Sequence, residues 1–124
     1  MSKLTFEEFA RGNHLRCGET FKREVVRSNV IAFALGLGEE TGEVLGKVRA
    51  CEGITKRKAG TSEEDVAMEI GDVLAYLDLV AQAYGFTLEY CAQTKYNIVS
   101  ERSGSAYRFV NGQLIRQVDF KDVG

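Results

Sequence analysis

Four carboxylates stand in two pairs whose spacing could bring them together around a cation. The first pair is Glu40 and Glu43, and the second is Glu69 and Asp72. Residues three apart lie on one face of a helix, so each pair would present both carboxylates to the same side. A single pair of this kind is usually solvated surface charge. Four acids near an apolar seam repel one another and lose hydration unless a cation neutralises them, so we interpret the pairs as a metal site.

The chemical type of these side chains indicates which metal they would bind. An all-oxygen, anionic set without histidine or thiolate suits Mg²⁺ or Mn²⁺, which bind through a few carboxylates, water and substrate phosphates. A di-iron bundle would need a Glu-x-x-His motif on each of two helices. The single histidine, His14, has Arg11 three positions before it, which excludes that motif.

The first acidic pair lies in a segment that is predicted to form one long helix. Apolar residues recur there at spacings of four, three, four and seven, which is typical of one helix face. They are Val26, Val30, Phe33, Leu37 and Val44. The pattern predicts a helix from about Lys22 to Arg49. One further step along the same face reaches Glu40, which puts an acid where the core is expected.

The second acidic pair lies in another predicted helix. An S/T-x-x-E capping box at Thr61 indicates where it begins, and Gly85 provides a residue suited to ending it. Within this helix, Glu69, Asp72 and Tyr76 form a polar strip with apolar residues along both borders. The sequence therefore predicts a second acidic strip at the edge of the core.

The rest of the chain carries local signals for two more helices and a hairpin. Capping residues at Thr5 and Thr87 predict the starts of a first and a fourth helix. Asn111 and Gly112 separate two β-prone runs and suit a type I′ turn, which would set Phe109 opposite Leu114. We predict an all-α fold, a four-helix core with a short C-terminal β-hairpin.

Length and composition limit the domain organisation and the classes of partner. At 124 residues the chain suits one domain, which we divide into a helical part over 1–104 and a hairpin extension over 105–124. The net charge of −2 is spread along the chain and argues against a nucleic acid polymer as partner. Three scattered cysteines, and the lack of a signal-like or membrane-spanning apolar run, favour a soluble cytoplasmic protein without membrane association.

Two segments together resemble the MazG-type all-α nucleoside triphosphate pyrophosphohydrolases. They are GLGEETGEVLGK at 36–47 and EDVAMEIGDVLAYL at 64–77. They carry an ExxE and an ExxD motif at an interval usual for that family, together with the glycine before Asp72 and a downstream KYNIVSER at 95–102. The resemblance covers about residues 20 to 102 and does not include the hairpin.

The resemblance implies an activity, a cofactor and an assembly. It implies a four-helix MazG-like core that forms a homodimer or tetramer, and Mg²⁺-dependent hydrolysis of a nucleoside triphosphate to a monophosphate and pyrophosphate. By motif position, the catalytic metal ligands would be Glu40, Glu43, Glu69 and Asp72. The residues that would hold the triphosphate or sugar are Tyr76, Lys95, Asn97 and Arg102.

Several alternatives stay open at this point. The general base could be Glu43 or the adjacent Glu39, and the basic run at 56–58 is interpreted as a solvated loop. The chain lacks tryptophan, so a base would have to stack on Phe, Tyr or His14, and its identity is open. An alternative function on the same scaffold is that of a phosphoribosyl-ATP pyrophosphohydrolase. A function of another class is a non-catalytic helical dimer that acts as a regulator or adaptor.

Overall fold

A computed structural model of the chain describes residues 3–54 and 60–117. The contacts divide the chain after Gly85 into two compact units. The described residues form four α-helices and one two-stranded antiparallel hairpin, which confirms the predicted fold class. None of the described helices is both long enough and apolar enough to cross a membrane. The basic run at 56–58 lies outside the described residues.

The first helix, α1 (Phe6–Glu19), begins where its capping residue predicts. The Thr5 hydroxyl accepts a hydrogen bond from the Glu8 backbone N–H at 3.1 Å. This bond satisfies one of the donors that a helix start leaves without a partner. The helix continues through both of its glycines and ends beside Thr20.

The second helix, α2 (Val30–Cys51), begins later than the apolar spacing predicts. Lys22 has a left-handed backbone with φ of 56°, and Val26 is extended, so the segment from Lys22 to Val26 is not helical. A 3₁₀ turn, Arg27–Asn29, then leads into α2. The predicted start at Lys22 is therefore wrong.

The third helix, α3 (Glu63–Ala83), begins one residue after the predicted position. Its cap is Ser62, whose backbone N–H donates to the Asp65 carboxylate at 2.7 Å, so the capping box is Ser62 with Asp65. The predicted box at Thr61 is therefore displaced by one residue. The C-terminal end agrees with the prediction, because Gly85 follows the helix with φ of 83°.

The core of the first unit lies where α1, α2 and α3 meet. Its buried side chains are Cys17, Val30, Phe33, Leu79 and Ala83. Tyr76 packs against this cluster and crosses α2 at Gly36, where a Cβ atom would overlap the tyrosine ring. Glycine at this position therefore allows α2 and α3 to approach closely enough for Tyr76 to fit between them.

Gly36→Ala is therefore expected to destabilise the protein, by about 1–3 kcal/mol of unfolding free energy, through overpacking. The matched control is Gly46→Ala in the same helix, where nothing lies within 4 Å of the added Cβ. Alanine favours a helix over glycine by up to about 1 kcal/mol, so the control should be neutral or stabilising. Urea unfolding measures both variants. Equal effects of the two substitutions would contradict the close packing at Gly36.

The second unit consists of α4 (Leu88–Ser103) and a hairpin of β1 (Tyr107–Val110) and β2 (Gln113–Arg116). Thr87 caps α4 as predicted, by accepting from the Tyr90 N–H at 3.1 Å. Phe109 lies opposite Leu114, and both turn residues, Asn111 and Gly112, have positive φ, which agrees with the predicted turn. The hairpin packs on α4 within this unit, where Tyr96 meets the Phe109 ring edge to face at 4.8 Å.

Candidate functional site

Three of the four predicted carboxylates converge between α2 and α3. Glu40 from α2 and Glu69 and Asp72 from α3 each offer one oxygen, and these oxygens lie within 4.8 Å of one another. Glu40 and Glu69 are half-buried, and Asp72 is exposed. Glu43 is exposed and lies outside this group. The helical spacing thus brings both acidic motifs to one place, with Glu43 at its margin.

The electrostatic environment of Glu40 is strongly negative. Burial raises the pKa of its carboxyl, and a hydrogen bond with Glu69 together with the charges of Asp72, Glu69 and Glu43 raises it further. Each of these causes disfavours the ionised form. The cluster therefore holds more negative charge than its surroundings stabilise by themselves.

The donor set of this cluster fits a hard divalent cation. Carboxylate oxygens from Glu40, Glu69 and Asp72 are the ligands that Mg²⁺ and Mn²⁺ prefer, and three such oxygens leave room for water and phosphate. A bound cation would also remove the repulsion that raises the pKa of Glu40. The cluster could therefore bind a divalent metal, and the exposed Asp72 leaves it open to solvent.

A cavity of about 550 Å³ extends from the acidic cluster into the space between α1, α2 and α3. Glu40 and Asp72 contribute the acids to its wall, and Tyr76 lies between them and the apolar core. The remaining lining residues come from all three helices and the segment that follows α1: Asn13, Arg16, Cys17, Phe21, Arg23, Ala32, Phe33, Ala75 and Leu79. The acids thus lie on the wall of a space large enough for a small molecule.

Two arginines of this cavity were not found from the sequence. Arg16 belongs to α1, and Arg23 follows it in the non-helical segment that was predicted to be helix. Both guanidinium groups act on Cys17, where burial raises the pKa of the thiol and the charges of Arg23 and Arg16 lower it in part. Burial outweighs the two arginines, so the thiolate form of Cys17 is disfavoured. The cavity therefore combines cationic and anionic side chains.

A buried polar network joins α1 to α3 beside the cavity, and it also was not found from the sequence. Asp78 has no exposed surface, and its Oδ2 accepts from Asn13 Nδ2 at 2.9 Å and from Gln82 Nε2 at 2.7 Å. The other oxygen, Oδ1, has no hydrogen-bond partner among the described residues. His14 Nδ1 lies 3.0 Å from Gln82 Oε1, so His14 belongs to the edge of this network.

The predicted substrate residues fall in different parts of the chain. Tyr76 lines the cavity in the first unit. Lys95 and Arg102 are exposed on α4 in the second unit. The Asn97 side chain holds the hairpin instead, since its Nδ2 donates to the Phe109 carbonyl and its Oδ1 accepts from the Phe109 N–H, both at 2.8 Å. A role of Lys95, Asn97 or Arg102 in substrate binding stays a prediction.

Comparison with known proteins gave one family. The profile of the MazG nucleotide pyrophosphohydrolase domain matches residues 29–105. Comparisons with curated proteins and with solved structures gave no significant match. The matched range contains α2, α3 and α4 with all four acids, and it leaves α1 and the hairpin outside.

Proposed function

This chain belongs to the MazG nucleotide pyrophosphohydrolase family, and we propose that it hydrolyses nucleoside triphosphates, ribo or deoxy, to a nucleoside monophosphate and pyrophosphate. The observation that supports this most directly is the cavity whose wall carries Glu40 and Asp72 together with Arg16 and Arg23. A triphosphate presents several negative charges, and arginine binds phosphate oxygens with two parallel hydrogen bonds. The cavity thus offers both a metal-binding end and side chains that bind phosphate directly.

The reaction needs a water molecule to attack the α-phosphorus. A new bond forms between the water oxygen and this phosphorus, the bond to the oxygen bridging the α and β phosphates breaks, and pyrophosphate leaves with that oxygen. The proton of the water passes to a carboxylate. We assign this role to Glu43 or Glu39, which are exposed on α2 and lie outside the group of three that converges.

Glu40, Glu69 and Asp72 would hold Mg²⁺ or Mn²⁺, with Glu43 as a further ligand where Glu39 is the general base. Such a cation neutralises phosphate charge and makes a coordinated water more acidic. The part played by the chain itself is to gather the acids on two helices and to keep them beside the apolar core. Arg16 and Arg23 would orient the triphosphate relative to them.

A substrate panel tests this function. Purified protein is incubated with ribo- and deoxynucleoside triphosphates and with phosphoribosyl-ATP, first with Mg²⁺ and then with EDTA, and monophosphate and pyrophosphate are both quantified. We expect equal amounts of the two products from at least one nucleoside triphosphate, and none with EDTA. Turnover of phosphoribosyl-ATP alone would assign the chain to that reaction. The absence of metal-dependent turnover from every substrate would favour a non-catalytic regulator.

We also propose that the chain forms a homodimer or tetramer through the outer face of α2. Ile31, Leu35 and Leu45 are 68%, 69% and 59% exposed, and the helical period places them on one side, opposite Phe33 and Glu40. A row of exposed apolar side chains on a helix is typical of a protein interface. Since residues of one chain meet the same residues of another in a symmetric dimer, this face could pack against its own copy.

Leu35→Glu is expected to shift the protein towards monomer, because it puts a charge at the centre of the α2 face. Light scattering coupled to size-exclusion chromatography measures the mass of the variant at several concentrations. The control is Leu4→Glu, since Leu4 is 74% exposed and lies before α1. An unchanged oligomer in Leu35→Glu would exclude this face as the interface.

A further inference from the structure

The side-chain amide of Asn13 is held in one orientation. Asn13 is 6% exposed, and its Nδ2 donates to the Ala75 carbonyl at 2.8 Å and to Asp78 Oδ2 at 2.9 Å. Both partners are acceptors, so the nitrogen of the amide must face them and the oxygen cannot. The rotation that exchanges amide oxygen and nitrogen is therefore excluded at this position.

Asp78 is itself fixed by α1 and α3. Its Oδ2 also accepts from Gln82 Nε2 at 2.7 Å, and the same nitrogen donates to the Ala10 carbonyl at 3.0 Å. Three side chains and two backbone carbonyls from two helices thus hold one another with little freedom. A polar side chain supported in this way keeps its direction before any ligand arrives.

The remaining polar atom of the Asn13 side chain is an acceptor at the cavity. Both hydrogens of Nδ2 are used towards α3, and Oδ1 has no hydrogen bond to any residue in the described ranges. In those ranges the buried side-chain polar atom without a partner is Asp78 Oδ1, so Asn13 Oδ1 is not fully buried. Asn13 also lines the cavity. The cavity wall therefore offers a fixed, uncharged hydrogen-bond acceptor at Asn13.

This acceptor lies at some distance from the acidic cluster. Asp78 is six residues beyond Asp72 on α3, which corresponds to about 9 Å along the helix axis. The hydrogen bonds of Asn13 and Ala10 to α3 show that α1 runs antiparallel to it, so Arg16 lies one turn nearer to the Asp72 level than Asn13 does. The charged side chains therefore gather at one end of the cavity, and Asn13 lies towards the other.

We propose that Asn13 determines base specificity by accepting a hydrogen bond from an N–H on the edge of the nucleobase. This inference rests on the proposed function, because it takes the ligand to be a nucleotide whose phosphates lie near Glu40, Asp72 and Arg16. The base then extends towards Asn13, Phe33 and Leu79, where the wall is apolar apart from the amide. Asn13 lies outside the range matched by the family, so this contact belongs to this chain's own N-terminal helix.

Asn13→Ala tests the proposal with two kinds of ligand. For the nucleotide that the wild type prefers, kcat/KM should fall by about 10- to 100-fold, because the base N–H loses its partner. Turnover of ribose 5-triphosphate, which has no base, should change little. The differences in kcat/KM between nucleotides with different bases should become smaller. A general structural defect would lower both activities alike.

Gln82→Ala is the matched control. It removes one donor from Asp78, as Asn13→Ala does, but Gln82 does not line the cavity. We expect Gln82→Ala to keep the base preference of the wild type even if its stability falls. Loss of the preference in both variants to the same extent would assign the effect to the network and overturn a direct contact.

A second arm uses the folded wild type and needs no variant. The preferred nucleotide is compared with its analogue in which the base N–H is replaced by N–CH₃, both as α,β-methylene compounds that cannot be cleaved, and calorimetry gives the two Kd values. We expect the methyl group to weaken binding at least about tenfold in the wild type and to matter less in Asn13→Ala, where the acceptor is gone.

The outcomes separate this inference from the proposed function. Turnover by the wild type with an unchanged base preference in Asn13→Ala would overturn the inference alone. A different result would be base-dependent nucleotide binding by the wild type, lost in Asn13→Ala, with no turnover of any substrate. That result would overturn the hydrolase function and keep Asn13 as the base contact. Equal binding of the N–H and N–CH₃ compounds by the wild type would also overturn the inference.

Discussion

Glu40→Gln is expected to lower kcat for nucleoside triphosphate hydrolysis by roughly 10²- to 10³-fold, because a preorganised charge at the reacting phosphate is lost. Glutamine keeps the size of the side chain but removes its charge and weakens it as a ligand for Mg²⁺. Asp72→Asn should behave in the same way, since Asp72 belongs to the same group of three acids. Steady-state pyrophosphate release measures the loss, and circular dichroism checks that both variants stay helical.

The same substitution should make the metal-free protein more stable. The pKa of Glu40 is raised from 4.5 by burial, by a hydrogen bond with Glu69 and by the neighbouring negative charges. In the pH range between the unfolded and the folded pKa, the folded protein binds more protons than the unfolded chain, so its stability falls as pH rises through that range. In EDTA, we therefore expect a higher Tm for Glu40→Gln than for the wild type at neutral pH, and a difference that disappears near pH 4.

A matched control and a metal titration make this prediction specific. Glu24→Gln removes an exposed carboxylate outside the cluster and should change neither activity nor metal response. Mg²⁺ should raise the Tm of the wild type and of Glu24→Gln more than that of Glu40→Gln, since binding to the folded state stabilises it. Equal Mg²⁺ effects on all three proteins would contradict metal binding at this cluster.

The acidic motifs could be predicted because their information is local. Glu69 and Asp72 share a helix face whatever the rest of the chain does, and the apolar period around Glu40 places it beside the core. The caps at Thr5 and Thr87 depend on residues within one turn. The hairpin depends on its two turn residues and on alternation within short strands. Signals that depend only on residues close together in the sequence can be recognised without knowledge of the tertiary structure.

The contribution of α1 could not be predicted because its contacts are distant in sequence. Asn13 and Ala75 are 62 positions apart, and nothing in the pattern around Asn13 distinguishes it from a surface residue. Arg23 lies in a segment whose apolar spacing continues that of α2, whereas the left-handed Lys22 interrupts the helix. One signal was present at Asp78, which shares a face of α3 with Ala75 and Leu79 and so stands on an apolar side of the helix.

Asp78→Ala is expected to lower the unfolding free energy by about 2–5 kcal/mol. It leaves a buried hydrogen of the Asn13 amide and a half-buried hydrogen of the Gln82 amide without an acceptor, at about 1–3 kcal/mol per group. In a unit of this size, such a loss lowers Tm by on the order of 10–40 °C. Urea unfolding gives the free energy. Hydrogen exchange should locate the change in α1, because the network joins α1 to α3.

Asp78→Asn separates the hydrogen bonds from the charge. The amide oxygen of asparagine can take the place of Oδ2 and accept from both Asn13 and Gln82, while its NH₂ takes the position of Oδ1, which has no partner among the described residues. Asp78→Asn should therefore lose much less stability than Asp78→Ala and keep α1 protected from exchange. If the two variants were equally unstable, the charge of Asp78 rather than its two bonds would hold α1. If Asp78→Ala were as stable as the wild type, the network would not hold α1 at all, and the fixed direction of the Asn13 amide would lose its support.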